Sequence, residues 1–254
     1  MASKKVKKQK SLYNKYISIL WGLFLLSIIG VFTLFGGAAL GFYGPMPDLQ
    51  QLENPRTNLA SQIISSDGEI LGKYYFDENR TPIAFNEIPT NMVEALIATE
   101  DERFYDHSGI DWLGTLRAFA FLGKRGGAST ISQQLARQIF VGVRSRSLIK
   151  TILQKAQEYV IAVQLEQRYT KKEILSMYLN KYDFGYQADG IRSAAKIFFN
   201  KSPKELNIEE SATLVGMLKN SSYFNPIRRP ERVKARRNIV FQQLLRNQLI
   251  TKKD

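Results

Sequence analysis

Residues 91–109 read NMVEALIATEDERFYDHSG. Within this stretch Val93, Leu96 and Ile97 recur at the spacing of one helix face, and Glu100 continues the same face. A carboxylate on the inward face of a helix is partly withdrawn from water, and such a group can act as a general base. It can equally be a structural acid held by a buried arginine or by backbone N–H groups. The periodicity alone leaves both roles open.

His107 is the only histidine, and it lies seven residues after Glu100, just before a Ser-Gly pair typical of a helix stop. A lone histidine can serve as a base, but it is more often a hydrogen-bonded structural residue. Because the chain has no second histidine and no cysteine, the usual nitrogen and sulfur ligands of a zinc site are missing from the sequence. We therefore favour a structural role for His107 and predict no metal site built by the protein.

A glycine-rich turn at residues 126–130 leads into a further helical stretch. Thr130, followed three residues later by Gln133, fits a capping box. A helix N-terminus that follows such a turn can present backbone N–H groups to a phosphate. Gln133, Gln134 and Arg137 lie within one turn, so their donors can converge on the same group. The alternative is an ordinary loop followed by a well-capped helix.

Lys155 and Glu158 lie one turn apart on the next predicted helix. This spacing usually gives a surface ion pair of small energy, but it also suits a cation for phosphate beside a second carboxylate. Residues 147–150 match the Ser-x-x-Lys pattern of penicillin-binding transpeptidases. Because no Lys-Thr-Gly follows, we interpret that match as chance.

The surrounding sequence predicts a mostly helical body from about residue 89 onward, within one domain at 61–254. Before the body, a Ser-Asp-Gly turn separates Ile63 and Ile64 from Ile70 and Leu71, which predicts a small β-hairpin. A second turn is predicted at residues 77–79. Residues 44–60 are rich in proline and are predicted to form a stalk.

The N-terminus predicts a membrane anchor. Residues 1–16 carry six lysines and no acid, and residues 17–42 carry no charge. A bilayer span needs about 20 apolar residues, so we predict a transmembrane anchor at 17–43. A cleaved signal peptide is the alternative, although its apolar region would be shorter. The positive-inside rule keeps the tail at 1–16 in the cytoplasm and puts the rest on the extracytoplasmic side.

The formal net charge of +13 restricts the expected partners to anionic ones, namely nucleic acid, anionic lipid or substrates that carry phosphate. Part of this charge lies in the C-terminal tail, at Arg228, Arg229, Arg232, Lys234, Arg236, Arg237 and Arg246. The predicted location excludes nucleic acid as a partner. We interpret the tail as a solvated basic helix face near anionic lipid.

Taken together, these segments resemble the peptidoglycan glycosyltransferase family, found in monofunctional transglycosylases and at the N-terminus of class A penicillin-binding proteins. Residues 100–109 match its Glu-Asp-x-x-Phe-x-x-His-x-Gly motif at every fixed place, and residues 127–134 match its second motif. Residues 172–180 match the fourth, and residues 223–226 resemble its closing Tyr-Asn-Pro region. The resemblance covers about residues 60–250. It implies a mostly α, lysozyme-like fold with a larger head lobe and a smaller membrane-proximal lobe.

The resemblance also implies roles for individual residues. Glu100 would be the general base, and Glu158 would orient the cations or the donor sugar. The residues expected to bind substrate are Asp101, Phe104, His107, Gly127, Ser129, Thr130, Gln133, Gln134, Arg137, Lys155 and Asn180. The third motif usually begins Arg-Lys, whereas Gln154 stands before Lys155 here. Arg144, Arg146 or Lys150 would then supply the missing cation.

The reaction that the resemblance implies is polymerisation of lipid II, a disaccharide-peptide on undecaprenyl diphosphate, into β-1,4-linked glycan with inversion at the sugar C1. No cofactor is required, and a divalent cation that bridges the diphosphate, as in some relatives, stays open. The expected partners are lipid II, the growing glycan strand and the plasma membrane. Association with other cell-wall synthesis and division proteins is left open.

Two other functions remain as alternatives, a lysozyme-like enzyme that cleaves existing glycan and a non-catalytic scaffold of the cell-wall machinery. The sequence also leaves open whether the chain is a monofunctional enzyme or the front of a longer protein. The apolar residues Trp112, Leu113, Leu116, Phe119, Phe121 and Leu122 resemble the part of the family that dips into the membrane. The alternative for them is core packing.

Overall fold

The computed structural model describes residues 2–44, 46, 61–68, 70–74, 81–121 and 127–251. Most of the predicted stalk, the predicted second turn at 77–79, residue 126 of the glycine-rich turn and Leu122 lie outside the described residues. The chain divides into two compact units. The N-terminal unit comprises residues 1–46 and 144–160, and the main unit comprises residues 47–143 and 161–254.

The N-terminal unit begins with one long helix, α1 (Ala2–Ala39). Its segment Tyr13–Ala39 is long and apolar enough to span a membrane, with a mean hydropathy of 2.4. The predicted basic tail and most of the predicted anchor therefore lie on a single continuous helix. The helix ends four residues before the predicted end of the anchor at 43, and a turn follows.

The predicted β-hairpin is confirmed. Strands β1 (Ser61–Ile64) and β2 (Ile70–Tyr74) pair antiparallel, with Ser61 opposite Tyr74 and an irregularity in the register between Ile63 and Ile64. The Ser-Asp-Gly segment between the strands forms the turn, as its residue types predict. In the described residues these two strands form the sheet of the main unit.

The rest of the described chain is helical, which confirms the mostly α prediction. The helices are α2 (Thr90–Glu100), α3 (Trp112–Ala120), α4 (Ile131–Ala136), α5 (Leu148–Arg168), α6 (Lys171–Lys181), α7 (Gly190–Phe199), α8 (Ile208–Met217) and α9 (Pro230–Arg246). A π-helical turn (Arg137–Val141) follows α4. Short 3₁₀ turns occupy Phe85–Glu87, Phe104–Asp106 and Pro203–Glu205.

Side-chain caps fix where several of these helices begin. Thr170 and Glu173 form a capping box at the start of α6, and Asn207 and Glu210 form another at the start of α8. Such reciprocal bonds satisfy backbone N–H groups that have no partner within the helix. The caps therefore fix where α6 and α8 begin. Helix α6 packs against α4, and α8 packs against α2.

The core of the main unit forms where α2 packs against α8 and α9, and where α4 packs against α6. Its largest fully buried side chains are Met92, Leu96, Phe104, Ile131, Leu135, Ile161, Leu165, Ile174, Leu175, Tyr178 and Phe184. On α2 the predicted apolar face is buried at Val93 and Leu96, while Ile97 and Glu100 are half-buried. As a result of this packing, the C-terminal end of α2 lies at a surface cleft.

Candidate active site

Glu100 is the last residue of α2, and its side chain is 16% exposed. Its Oε2 accepts a hydrogen bond from Gln134 Nε2 at 3.1 Å, and Gln134 Oε1 accepts one from the Tyr178 hydroxyl at 2.9 Å. The other carboxylate oxygen, Oε1, lies 3.6 Å from Nη2 of Arg236. That distance is longer than a hydrogen bond. One oxygen of Glu100 is therefore held by an amide, and the other faces a cation without being bonded to it.

Arg236 reaches Glu100 from α9, and its side chain is 11% exposed. Burial lowers the pKa of Arg236 below its ordinary value, and the charge of Glu100 opposes this shift. An arginine keeps its charge at any ordinary pH. The predicted solvated basic face is correct for the exposed Arg228, Arg229 and Arg232, but it is wrong for Arg236, which α9 turns toward the protein.

A cleft opens beside Glu100. Its walls are three further acids, two arginines and the segment 127–130, namely Asp101, Glu102, Asp111, Arg103, Arg117, Gly127, Ala128, Ser129 and Thr130. Arg103 is ion-paired with Asp111. Burial opposes ionisation of Asp111, but hydrogen bonds from Arg103 and from the Gly114 N–H outweigh it and lower the pKa of Asp111 below 3.8. The cleft thus brings Glu100 together with the predicted residues Gly127, Ser129 and Thr130.

Asp101 joins the end of α2 to the start of α4. Its carboxylate accepts hydrogen bonds from His107 Nε2, 3.1 Å from each oxygen, and from the Ile131 N–H at 2.9 Å. Asp101 and the His107 side chain are each 7% exposed. The hydrogen-bonded structural position favoured for His107 is therefore what the structure contains. Asp101, expected to bind substrate, is likewise engaged within the protein.

Thr130 caps α4, which confirms the N-cap half of the predicted capping box. Its hydroxyl oxygen accepts from the Gln133 N–H at 3.2 Å and its hydroxyl donates to the Gly109 carbonyl at 2.7 Å. Because the Ile131 and Gln133 N–H groups are bonded to Asp101 and Thr130, these two donors are not presented to a phosphate. This corrects the expectation that the helix terminus turns its N–H groups outward.

Gly109 allows the segment 100–109 to approach α5. Its φ of +89° is in the region that favours glycine, and a Cβ at this position would lie 2.8 Å from the Ala162 carbonyl oxygen. Any other residue would therefore push the loop away from the helix. The final glycine of the first motif is thus required by packing.

Three predicted substrate-binding residues are packed or hydrogen-bonded within the protein. Phe104 is fully buried, and Gln133 is fully buried and donates to the Gly109 carbonyl at 3.4 Å. Asn180 accepts from the Ile83 N–H at 3.0 Å and donates to the Ile83 carbonyl at 2.8 Å. Motif membership does not separate residues that touch a ligand from residues that hold the fold.

Sequence reasoning missed a buried network around Lys171. Its Nζ lies 2.6 Å from Glu166, donates to the His107 carbonyl at 2.6 Å, and lies 4.3 Å from the centre of the Phe104 ring. Ser132 donates to the same Glu166. The fourth motif begins at Lys172, whereas the lysine that joins this network, half-buried, lies one position earlier. In the sequence, one feature could have indicated this role: Lys171 directly follows Thr170, which caps the helix.

The N-terminal unit contains the second predicted catalytic carboxylate. Glu158 is 1% exposed and pairs with Lys155, with Nζ and Oε2 2.8 Å apart. A buried partner makes this more than a surface ion pair. Gln154, which replaces the expected arginine, accepts from the Ser145 N–H at 2.9 Å and so ties the segment before α5 to the helix. Arg144, Arg146 and Lys150 are exposed in that region.

Four of the apolar residues in α3 and the turn after it are exposed. Trp112 is 69% exposed, Leu113 71%, Leu116 66% and Phe121 41%. Core packing, the alternative for this segment, is therefore wrong for these four residues. Among the residues that the structure describes, no three His, Asp or Glu side chains gather in a way that would hold a metal ion.

The sequence model of the transglycosylase family matches residues 67–245. The chain belongs to the transglycosylase family. The match includes Glu100, Gln134, Tyr178, Glu158 and Arg236, and it confirms the family predicted from the motifs. The transglycosylase match begins within the hairpin and leaves α1 outside.

Curated relatives of this transglycosylase chain are penicillin-binding proteins. It is 39% identical to penicillin-binding protein 1A of Escherichia coli over 236 residues, which is 90% of this chain and 27% of the relative. It is 40% identical to penicillin-binding protein 1A of Vibrio cholerae over 89% of this chain and 27% of the relative. Penicillin-binding protein 1F of Bacillus subtilis is 41% identical over 71% of this chain and 25% of the relative.

A similar solved structure is the crystal structure of penicillin-binding protein 1A from Haemophilus influenzae. It matches with a TM-score of 0.43 and 24% identity, over 78% of this chain and 20% of that one. The transglycosylase chain thus spans about a quarter of the length of the curated relatives it matches.

Proposed function

We propose that the chain is a peptidoglycan glycosyltransferase that polymerises lipid II, with Glu100 as the general base. Glu100 would take the proton of the C4 hydroxyl of the incoming lipid II while that oxygen attacks C1 of the growing strand. The α-linked undecaprenyl diphosphate would leave as the β-1,4 bond forms. Inversion in a single displacement needs no covalent intermediate on the enzyme.

The observation that carries this proposal is the position of Glu100. It lies at the cleft, with Oε2 held by Gln134 and Oε1 facing Arg236 at 3.6 Å. A base must be held in place and still have an oxygen free to accept a proton, and this arrangement supplies both. A structural acid would be expected to have both oxygens bonded.

The leaving diphosphate gains negative charge in the transition state, so cations should stabilise it. We assign this work to Lys155 and Arg137, with Ser129 and the exposed Arg144, Arg146 and Lys150 as further donors. Glu158 would act on Lys155, which it holds at 2.8 Å. The transglycosylase assignment supports these roles through the motifs in which Lys155 and Glu158 stand.

We further propose that α1 anchors the protein in the plasma membrane as a single span, with the N-terminus in the cytoplasm and the transglycosylase domain outside. The uncharged segment and the lysines before it support this orientation. Lipid II is held in the bilayer by its own tail, so the reaction must occur at the membrane surface. The exposed apolar residues of α3 suit contact with that surface.

The test is to incubate the purified protein with fluorescent lipid II and to size the products on a gel, in parallel with Glu100→Gln. We expect glycan ladders from the wild type and none from the variant, with equal melting temperatures showing that both are folded. An arm with added chelator, later resupplied with Mg²⁺, determines whether a divalent cation takes part.

Other outcomes would select the alternatives. Ladders of equal length from both proteins would remove Glu100 as the base. No ladder from a folded wild type, together with release of fragments from preformed glycan, would indicate a lysozyme-like enzyme. No ladder and no release would indicate a scaffold.

A further inference from the structure

Tyr178 is a buried tyrosine on α6 whose hydroxyl has one specific task. The side chain is fully buried, and the hydroxyl donates to Gln134 Oε1 at 2.9 Å. Burial, with the charge of Glu100 second, raises the pKa of Tyr178 well above its ordinary value of 10. The phenol therefore remains protonated and remains a donor.

The orientation of the Gln134 side chain follows from its two neighbours. The ionised carboxylate of Glu100 can only accept hydrogen bonds, so the amide nitrogen of Gln134 must face it. The amide oxygen then faces Tyr178, and only a donor there can satisfy it. If the amide turned over, its oxygen would face the carboxylate oxygen at about the same distance, and two acceptors would repel each other.

Gln134 has little opportunity to find a substitute partner. It is only 9% exposed, so water cannot readily replace the hydroxyl of Tyr178. A buried acceptor that loses its donor is costly, and the side chain turns to recover a bond. The hydrogen bond that fixes Glu100 Oε2 therefore depends on a hydroxyl that does not touch Glu100.

We propose that Tyr178 is a positioning residue for the general base, which fixes Glu100 by locking the amide of Gln134. The inference rests on the proposed function, because it assigns a role within the same reaction. The hydroxyl of Tyr178 and its ring then have different roles. The ring packs in the core, and the hydroxyl sets the orientation of the amide.

Tyr178→Phe isolates the hydroxyl because phenylalanine keeps the buried ring. We expect kcat for lipid II polymerisation to fall about five- to tenfold, the effect of losing one positioning hydrogen bond. KM should stay unchanged, because the substrate does not touch Tyr178. A loss of packing alone would lower the melting temperature and leave kcat per folded molecule as it was.

Tyr182→Phe is the matched control. Tyr182 follows α6, its hydroxyl donates to the carbonyls of Leu218 at 2.8 Å and Met217 at 3.1 Å, and burial raises its pKa to about 12. Its removal deletes the hydroxyl of a half-buried tyrosine that is not bonded to Gln134. We expect a comparable fall in melting temperature and an unchanged kcat.

A double-mutant cycle tests the route through Gln134. In a Gln134→Met background the amide is gone, so Tyr178→Phe should cause no further fall in kcat. If the fold-changes in kcat of the two substitutions multiply in the double variant, the proposal is overturned. A Tyr178→Phe enzyme with the kcat of wild type would overturn it too. If the wild type itself makes no glycan, the proposed function fails. If the wild type is active, Glu100→Gln is inactive and Tyr178→Phe is unimpaired, only the role of Tyr178 fails.

Discussion

The two carboxylates predicted to be catalytic lie in opposite kinds of environment. Glu158 is 1% exposed and is ion-paired with Lys155 at 2.8 Å. Glu100 is 16% exposed and faces Arg236 at 3.6 Å, with its hydrogen bond coming from the neutral amide of Gln134. One carboxylate is committed to a cation, and the other has a cation near it but keeps an oxygen available.

This difference distinguishes a carboxylate that can accept a proton from a carboxylate that positions a neighbouring cation. A carboxylate bonded directly to an ammonium group is poorly placed to accept a proton from a substrate, since the proton would have to displace the cation. A carboxylate that is held by an amide and faces an unbonded cation can accept one. The geometry therefore supports the proposed roles, with proton transfer at Glu100 and orientation of Lys155 by Glu158.

After loss of the Glu100 carboxylate itself, the largest effect is expected for Glu158→Gln. We expect the polymerisation rate to fall about ten- to a hundredfold, because Lys155 loses the partner that aims it. In a Lys155→Met background the same substitution should add little. Polymerisation assays on the two single variants and the double variant give the coupling. Independent, multiplying effects would show that Glu158 has a role of its own.

A smaller effect is expected for Arg236→Met, which removes the cation that faces Glu100. The carboxylate then loses the favourable charge interaction on its Oε1 side, and we expect the rate to fall about tenfold. Arg236→Lys should restore part of it. Arg246→Met is the control, since Arg246 also lies on α9 and faces a carboxylate, Glu102 at 3.8 Å, but is 67% exposed. Equal losses from both methionine variants would contradict a specific role for Arg236.

The smallest effect concerns Asp111, a third carboxylate, which Arg103 bonds directly in the cleft. The pKa of Asp111 is lower in the folded protein than its ordinary 3.8, so its charge stabilises the fold above pH 3.8 and this contribution is lost as the pH falls through the lowered pKa. Asp111→Asn should lower the melting temperature by about 2–4 °C at pH 7.

Thermal unfolding at a series of pH values checks this sign. The gap between wild type and Asp111→Asn should narrow as the pH falls below 3.8 and should close once the pH is below the lowered pKa, because the wild-type carboxyl is then protonated too. A gap that persists unchanged at pH 3 would show that charge is not the cause.

The sequence predicted the local features of this site and missed the contacts between distant segments. The helical face that carries Glu100 and the Thr130 cap follow from spacings of three and four residues, which local geometry enforces. Arg236 could not be predicted, because it meets Glu100 only when α9 packs on α2. A basic run in sequence gives no sign of which arginine turns inward.

The same reason explains the residues whose roles changed. Asn180 and Phe104 stand in family motifs, but the structure uses them to hold Ile83 and to fill the core. Lys171 and Lys172 are adjacent and chemically identical, and only the phase of α6 decides that Lys171 joins the buried network. Such choices depend on packing between helices, which no local pattern encodes.

The central claim is that Glu100 accepts the proton, and single-turnover polymerisation at saturating lipid II tests it most directly. Wild type and Glu100→Gln are compared after lipid II binding has been measured for each. We expect the variant to bind lipid II within a few-fold of wild type and to polymerise it about 10²- to 10⁴-fold more slowly, because a general base usually contributes this much. A variant that binds lipid II and polymerises it at the wild-type rate would contradict the account.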